Sequence, residues 1–451
     1  MIDFIKFTPL WTDFLLYILI GMIGVFFWGI RKNPTLLEPW KKVIQKPLNI
    51  FVMMLLSGFI LIATLDSIHY TNGTGQTKSV LDALVKESIE HQETSYSAPF
   101  ALYGFNKETF TQADGRVIRD YPRLKYAGQH LKNDSDKSQD IISKIGQAAL
   151  MALEGVVLLY AMGLAYKKFK NNQRLIQRVF PTKTFLVTLY IMLFLVCFVG
   201  LTIPYYHMMG TSKIGEDVLY EAIKSIRTGV LIGTLTTLVM LPFAIFFGIL
   251  AGYLRGWIDD LIQYLYTTLS SIPGVLLIAA SVLSLQVLMT SHSDWFTSMA
   301  ERSDARLLAL CIILGVTSWT GLCRLLRGEA LKLREIDYVL AARSLGVSHF
   351  KIMLKHLLPN MSHIILISIA LDFSGLVLAE AVLSYIGVGV DPTSYSWGSM
   401  INGARLEMSR LPVVWWSLTA AFIFMFTLVL SANIFADSLR DAFDPRMRDQ
   451  K

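Results

Sequence analysis

Two carboxylates, Asp372 and Glu380, stand inside an otherwise apolar run at 364–383. An ionised carboxylate at the centre of a hydrocarbon layer costs on the order of 2.5–3.5 kcal/mol, so each must face a cavity or a partner. Eight residues are a little over two helical turns, which puts the pair within about 80° of one another on a helix. One reading makes them the polar face of a path through the membrane. The other brings Glu380 to the outer interface and pairs Asp372 with backbone or hydroxyl groups such as Ser368 or Ser374. A proton relay would need a basic partner in another apolar run, and none is evident. The chain has no Gly-x-x-x-x-Gly-Lys-Ser/Thr loop, no His-Glu-x-x-His, no Gly-x-Ser-x-Gly and no paired-Cys metal spacing, so no catalysis and no bound cofactor or metal is expected of it. His349, His356 and His363 recur at seven-residue intervals, but the Gly346–Pro359 breaks keep them off one regular face, and they read as packing or headgroup contacts.

The other conspicuous polar stretch runs from Ser318 to Asn360, between two apolar runs. Residues 328–345 are good helix formers, and Asp337-Tyr-Val-Leu-Ala-Ala342 places Ala341 and Ala342 where small side chains let a second surface approach. Gly346 suits a left-handed helix end, and Ser348 can cap a second short helix that Pro359 is expected to stop. Two short helices at a fixed angle, joined to two spans, can transmit a push as one body. An amphipathic helix resting on the inner leaflet, with Arg343, Lys351 and Lys355 on anionic headgroups, satisfies the same composition.

The elements that must position these groups are membrane helices. Hydrophobic residues make up 53% of the 451 and charged ones 17%, with a mean hydropathy of +0.49. Apolar runs long enough to cross occur near 14–30, 48–65, 145–165, 185–203, 230–250, 272–288, 307–326, 364–383 and 413–435, which predicts nine spans and an all-α integral membrane protein. The net charge of +7 does not indicate nucleic acid, because the basic residues gather beside the spans and no basic stripe with interleaved aromatics occurs. The basic connections at 31–46 and 167–183 and the Ser318–Asn360 stretch all belong on the cytoplasmic side, which threads the chain with its N-terminus outside and C-terminus inside. Arg31 and Lys32 directly follow the first run, which reads as an uncleaved anchor, and Cys197, Cys311 and Cys323 lie in or beside spans, so no disulfide framework is implied.

The threading leaves 66–144 as a large extracytoplasmic loop. Within it, Ser79 is the expected N-cap of a helix whose Leu81, Leu84, Val85 and Ile89 share a face, and residues 133–138 form a turn before the third span. The loop is either a small solvated cap or a docking surface. The expected organisation is an N-terminal extension at 1–166 with three spans, a basic cytoplasmic linker at 167–183, and a six-span core at 184–451 whose polar loop covers 327–360.

The core from about Lys183 to Arg446 carries several motifs in order. They are His207-Met-Met-Gly-Thr-Ser-Lys-Ile-Gly-Glu-Asp217, Gly256-Trp-Ile-Asp-Asp260, Ser271-Ile-Pro-Gly274, Glu380-Ala-Val-Leu-Ser-Tyr-Ile-Gly-Val-Gly389, Ser396-Trp-Gly398 and Asp437-Ser-Leu-Arg-Asp-Ala-Phe-Asp-Pro-Arg446. Together they resemble the C-type permease subunit of dipeptide, oligopeptide and nickel ABC importers, with departures at Met208, Ser212 and Glu216. The resemblance implies a methionine-importer-like six-helix fold in a bacterial inner membrane. It also implies that the polar loop sits in a groove of an ATPase subunit. The positions that match, or adjoin the match, are Asp337, Tyr338, Ala341, Ala342, Gly346, His356, Leu358 and Pro359, with Leu340 and His356 departing from the general Glu and Ile. The implied partners are a second permease subunit, two ABC ATPase subunits that bind ATP and Mg, an extracytoplasmic substrate-binding protein and membrane lipids. The expected function is the membrane half of an ATP-driven peptide importer. An ATP-driven exporter of peptides or amines on the same fold, and a secondary transporter or membrane scaffold, remain alternatives; the latter would show inverted repeats or paired broken helices, which the sequence lacks.

Overall fold

A computed structural model describes residues 6–32, 34–71, 77–111, 117–131, 133–170, 181–296 and 298–443. Most of the expected 167–183 linker and the end of the Asp437–Arg446 motif lie outside them. Among the described residues nine helices are long and apolar enough to cross a membrane. They match the nine expected runs, but several begin or end well beyond them. The fifth helix covers Val218–Leu254, against an apolar run at 230–250, because Glu221, Lys224 and Arg227 sit in its first turns.

The chain forms two compact units. The first comprises Met1–Thr8, Lys41–Arg227 and Tyr395–Leu428. Its spans at Pro47–Asp66, Lys137–Lys170 and Thr182–Thr202 support a lobe built largely from the connection between the second and third spans. In that lobe Lys6–Phe7, His69–Thr71 and Thr77–Ser79 form a three-stranded antiparallel sheet, and Glu108–Thr111 pairs with Val117–Asp120. Ser79 caps a helix as expected, in a reciprocal capping box with Asp82, but the helix ends at Leu84. A second short helix, Lys86–Glu90, follows, so the single apolar face is not formed: Leu81 is buried while Leu84 is 67% exposed.

The lobe is stitched to the connection that follows the fourth span. Phe100 N–H donates to the His207 carbonyl (2.9 Å), Thr211 N–H to the Ser97 carbonyl (3.1 Å) and Glu93 N–H to the Gly215 carbonyl (3.0 Å). Gly215 adopts φ +79°, and a Cβ there would lie 1.8 Å from the Glu93 carbonyl oxygen, so both its backbone angle and its surroundings require glycine. The buried His207 ring contacts Asp217 through Nδ1 (2.9 Å) and faces Glu93 through Nε2 at 3.6 Å, an ion-pair distance beyond hydrogen-bond length. Burial alone would lower the His207 pKa, but the two carboxylates outweigh it and push it up to about 9. Lys224 inserts its ammonium between Asp66 (2.8 Å) and Asp82 (2.7 Å).

The second unit comprises Pro9–Trp40, Thr228–Ser394 and Val429–Lys451. The first span, Trp11–Lys32, packs on Met299–Ser318, with Thr12 N–H donating to Asp304 at 3.1 Å and Leu16 entering a cluster with Leu231, Leu235, Leu310 and Leu314. A second cluster gathers Met240, Ala244, Ile249, Leu322, Leu326, Ala330, Val339, Ala342, Ile352 and Leu357, so the polar stretch is built on a continuous apolar base.

Candidate functional site: a braced helical handle

The stretch that follows the seventh span is a chain of short helices: Thr320–Leu333, Asp337–Ser344 and His349–Ile352, then a π-helical turn at Met353–Leu357 that leads into Leu358–Ile386. The first elbow is fixed by Gly346. It sits at φ +74°, its N–H bonds to the Arg343 carbonyl (3.0 Å), and Val347 N–H reaches back to the Ala342 carbonyl (3.1 Å). These are the two bonds of a Schellman motif, which a left-handed residue makes possible. Ser348 takes the N-cap position with extended backbone, but its side chain makes no capping bond.

Pro359 does not stop the helix. It occupies the first turn of Leu358–Ile386, and the chain runs helically from His349 to Ile386. Proline lacks an N–H and crowds the carbonyl four residues earlier, here that of Lys355. The π-helical turn widens the backbone at that point and makes room for the ring. Asn360 Nδ2 donates to the His356 carbonyl (2.7 Å) and to Tyr338 Oη (2.8 Å), which ties Asp337–Ser344 to the start of the eighth span.

Braces hold the handle from beneath. Arg334 donates to the Tyr253 carbonyl (2.9 Å), and the Tyr253 hydroxyl meets His349 Nδ1 at 3.0 Å. Arg327 grips Asp259 with two bonds, 2.6 and 2.8 Å, and these hold the Asp259 carboxyl below its ordinary pKa despite burial. At Gly252 an added Cβ would lie 2.5 Å from the Arg327 carbonyl oxygen, so the fifth span and Thr320–Leu333 touch backbone to backbone there.

Of the residues expected to form the contact, Asp337, Tyr338, Ala341 and Gly346 face outward. Ala342 does not: it is 8% exposed, because it follows the buried Val339 by three residues and so shares the inner face of the helix. His356 and Leu358 are half-buried at the base, with His356 beside the Tyr338 ring at 6.1 Å, while Pro359 is exposed. The outer rim also carries three large apolar side chains: Leu340, which stands where the general pattern has Glu, and Leu345 and Phe350, which no motif marks. Leu345 is 84% exposed at the elbow, although leucine in a soluble setting is normally covered.

The structure does not bring Asp372 and Glu380 into one site. Glu380 is 1% exposed and accepts a hydrogen bond from Ser384 (2.6 Å). Asp372 lies half-buried midway along its helix, and Ser374, one of its expected partners, turns inward with its hydroxyl unpaired. His349, His356 and His363 join no metal-holding group; among the described residues no three His, Cys, Asp or Glu side chains are gathered for one.

Comparison with known proteins places these features. Residues 244–449, which include the whole handle, match the family model of the binding-protein-dependent transport system inner membrane component. The chain is 31% identical over 240 residues to the dipeptide transport system permease protein DppC of Lactococcus lactis, covering 53% of this chain and 64%, just under two thirds, of that protein. It is 31% identical over 242 residues to the oligopeptide transport system permease protein OppC of Mycobacterium tuberculosis (54% of this chain, 77% of that protein). It is 30% identical over 244 residues to the glutathione transport system permease protein GsiD of Pectobacterium atrosepticum (54% and 73%). With nine helices among the described residues long and apolar enough to cross a membrane, and this extent of similarity, the chain is a multi-pass membrane protein that belongs to the family of binding-protein-dependent transport system inner membrane components.

Proposed function

We propose that the chain is one of two permease subunits that form the translocation path of an ATP-driven peptide importer, and that the braced handle is where an ATPase subunit docks. Three relatives at 30–31% identity are named for dipeptide, oligopeptide and glutathione transport, which supports peptide cargo. The observation that carries the docking reading is the elbow itself: Leu345, Leu340 and Phe350 exposed around a Gly346 whose geometry is fixed by backbone bonds. An apolar rim on a rigid, otherwise polar support suits a groove in a partner. Asp337, Tyr338 and Ala341 share that outer surface, while Ala342, Gly346, His356, Leu358 and Pro359 hold its shape.

In this reading the N-terminus is outside and the handle is cytoplasmic. Two ATPase subunits bind ATP with Mg, a second permease completes the path, and an extracytoplasmic binding protein delivers the peptide. Closure of the ATPases draws the handles together, and the spans switch between two states. Rigidity is what makes such a handle useful. Arg327–Asp259, Arg334–Tyr253 and Asn360–Tyr338 each tie it to a helix that would move with it. This chain's part is docking and conduction, and hydrolysis belongs to the ATPase subunits. Asp372 lies on the path, with Glu380 behind it in the protein interior.

The test is peptide uptake by cells that depend on this system, with Ala341→Asp and Gly346→Asp combined. Loss of uptake with the protein still in the membrane is expected, and wild-type uptake contradicts the docking reading.

A further inference from the structure

Asp372 is fourteen residues from either end of Leu358–Ile386, about 21 Å of helix in each direction. Among the described residues it has no ion pair or hydrogen bond. The helix presents an uncovered stripe, Leu371, Gly375, Leu378 and Val382, and Asp372 stands on its shoulder. Toward that stripe the positions flanking the carboxylate are small, Ser368 one turn before, Gly375 one turn after and Ala379 two turns after, while Ile369 and Leu376 stand on its other flank. At Gly375 an added Cβ would meet nothing within 4 Å. A carboxylate at this depth cannot be left against lipid tails at low cost, so the uncovered face beside it should meet water or a cationic group.

We propose that Asp372 is the point at which the translocation path recognises the α-ammonium group of its cargo. The inference rests on the peptide-permease reading above and adds the chemical class of group that the path selects. Dipeptides, oligopeptides and glutathione share one cation, a primary ammonium with a pKa near 8, whatever their side chains. A path that serves varied peptides needs a contact with that shared group. A single carboxylate beside small residues supplies it, because the ammonium can approach closely and leave again. Glu380 cannot share this role, since Ser384 already bonds it in the interior.

The experiment uses the full complex in proteoliposomes with its binding protein, and compares a free-amine peptide with its N-acetylated analogue. Asp372→Asn should slow uptake of the free peptide by on the order of tenfold, leave the acetylated analogue unchanged, and be largely rescued by Asp372→Glu. Asp372→Cys in the assembled complex should react with a water-soluble thiosulfonate. Wild-type uptake by Asp372→Asn, an equal loss for both peptides, or an unreactive Asp372→Cys overturns the inference and leaves the peptide-permease reading intact. Loss of the second permease on purifying Asp372→Asn also overturns it, by showing that the carboxylate pairs between subunits. Where only the free peptide is carried, rescue by glutamate supports the proposal and failure of rescue overturns it. A wild-type complex that carries neither peptide refutes the peptide reading itself, and this inference with it.

Discussion

Replacing Lys224 by methionine should loosen the lobe far more than removal of one surface charge would. The ammonium lies 2.8 Å from Asp66 and 2.7 Å from Asp82, and the three side chains are only 12%, 5% and 11% exposed. The acids are held further by Ser79 Oγ on Asp66 (2.7 Å), and by Ser79 N–H (2.8 Å) and Tyr220 Oη (2.9 Å) on Asp82. Burial would raise the Asp82 pKa, but Lys224 and these donors outweigh it and keep the carboxyl below its ordinary range. At an effective dielectric near 20 each contact is worth about 6 kcal/mol of gross attraction, most of it offset by desolvation. The intact cluster therefore contributes little net stability. Removing the cation strands two buried carboxylates and should cost about 3–5 kcal/mol. Hydrogen exchange in detergent reads this directly: amides of His69–Thr71 and Thr77–Ser79 should exchange on the order of 100- to 4,000-fold faster in Lys224→Met. Combining Lys224→Met with Asp66→Asn and Asp82→Asn should bring protection back to within about tenfold of wild type, because no buried charge remains. Wild-type protection in the single variant, or a triple variant as unprotected as the single one, would refute the reasoning.

Further outcomes follow from the same geometry. The raised His207 pKa contributes lobe stability that is fully present below about 6.5 and is lost as pH rises through about 9. Asp82 and Glu93, both held low, contribute stability present above the ordinary carboxylate range and lost as pH falls below it. Resistance of the lobe to protease should accordingly be greatest between the ordinary carboxylate range and about pH 6.5 and decline as pH rises from about 6.5 to 9, and His207→Ala should abolish that decline. Gly346→Val forces a β-branched residue into a left-handed backbone at a cost of about 1–2 kcal/mol; ATPase activity in the assembled complex should become less responsive to binding protein, while Gly346→Asn retains the response. Asp259→Asn weakens the two-bond grip of Arg327 by about 1.5–3 kcal/mol, measurable as a lower melting temperature of the purified chain.

The spans and the Gly346 elbow were legible because their signals are local: apolar length for one, a glycine after a run of helix formers for the other. What the sequence hid was set by distant partners. Glu221, Lys224 and Arg227 mask the true start of the fifth span, and Lys224 is neutralised by Asp66, 158 positions away. The lobe's strands are two to four residues long and take their register from one another, so no period-2 pattern has room to develop. Pro359 misled because the sequence shows the proline but not the π-helical turn that accommodates it. Ala341 and Ala342 read alike in composition, and only the helix pitch sends one outward and the other into the core.

The docking claim is tested most directly by cross-linking. In a complex purified with its ATPase subunits, Leu345→Cys and a short bifunctional maleimide should join this chain to an ATPase subunit, and Leu84→Cys in the lobe should not. If Leu345→Cys stays freely reactive to a water-soluble thiol reagent and forms no cross-link while the ATPase is bound, the handle is not the docking surface.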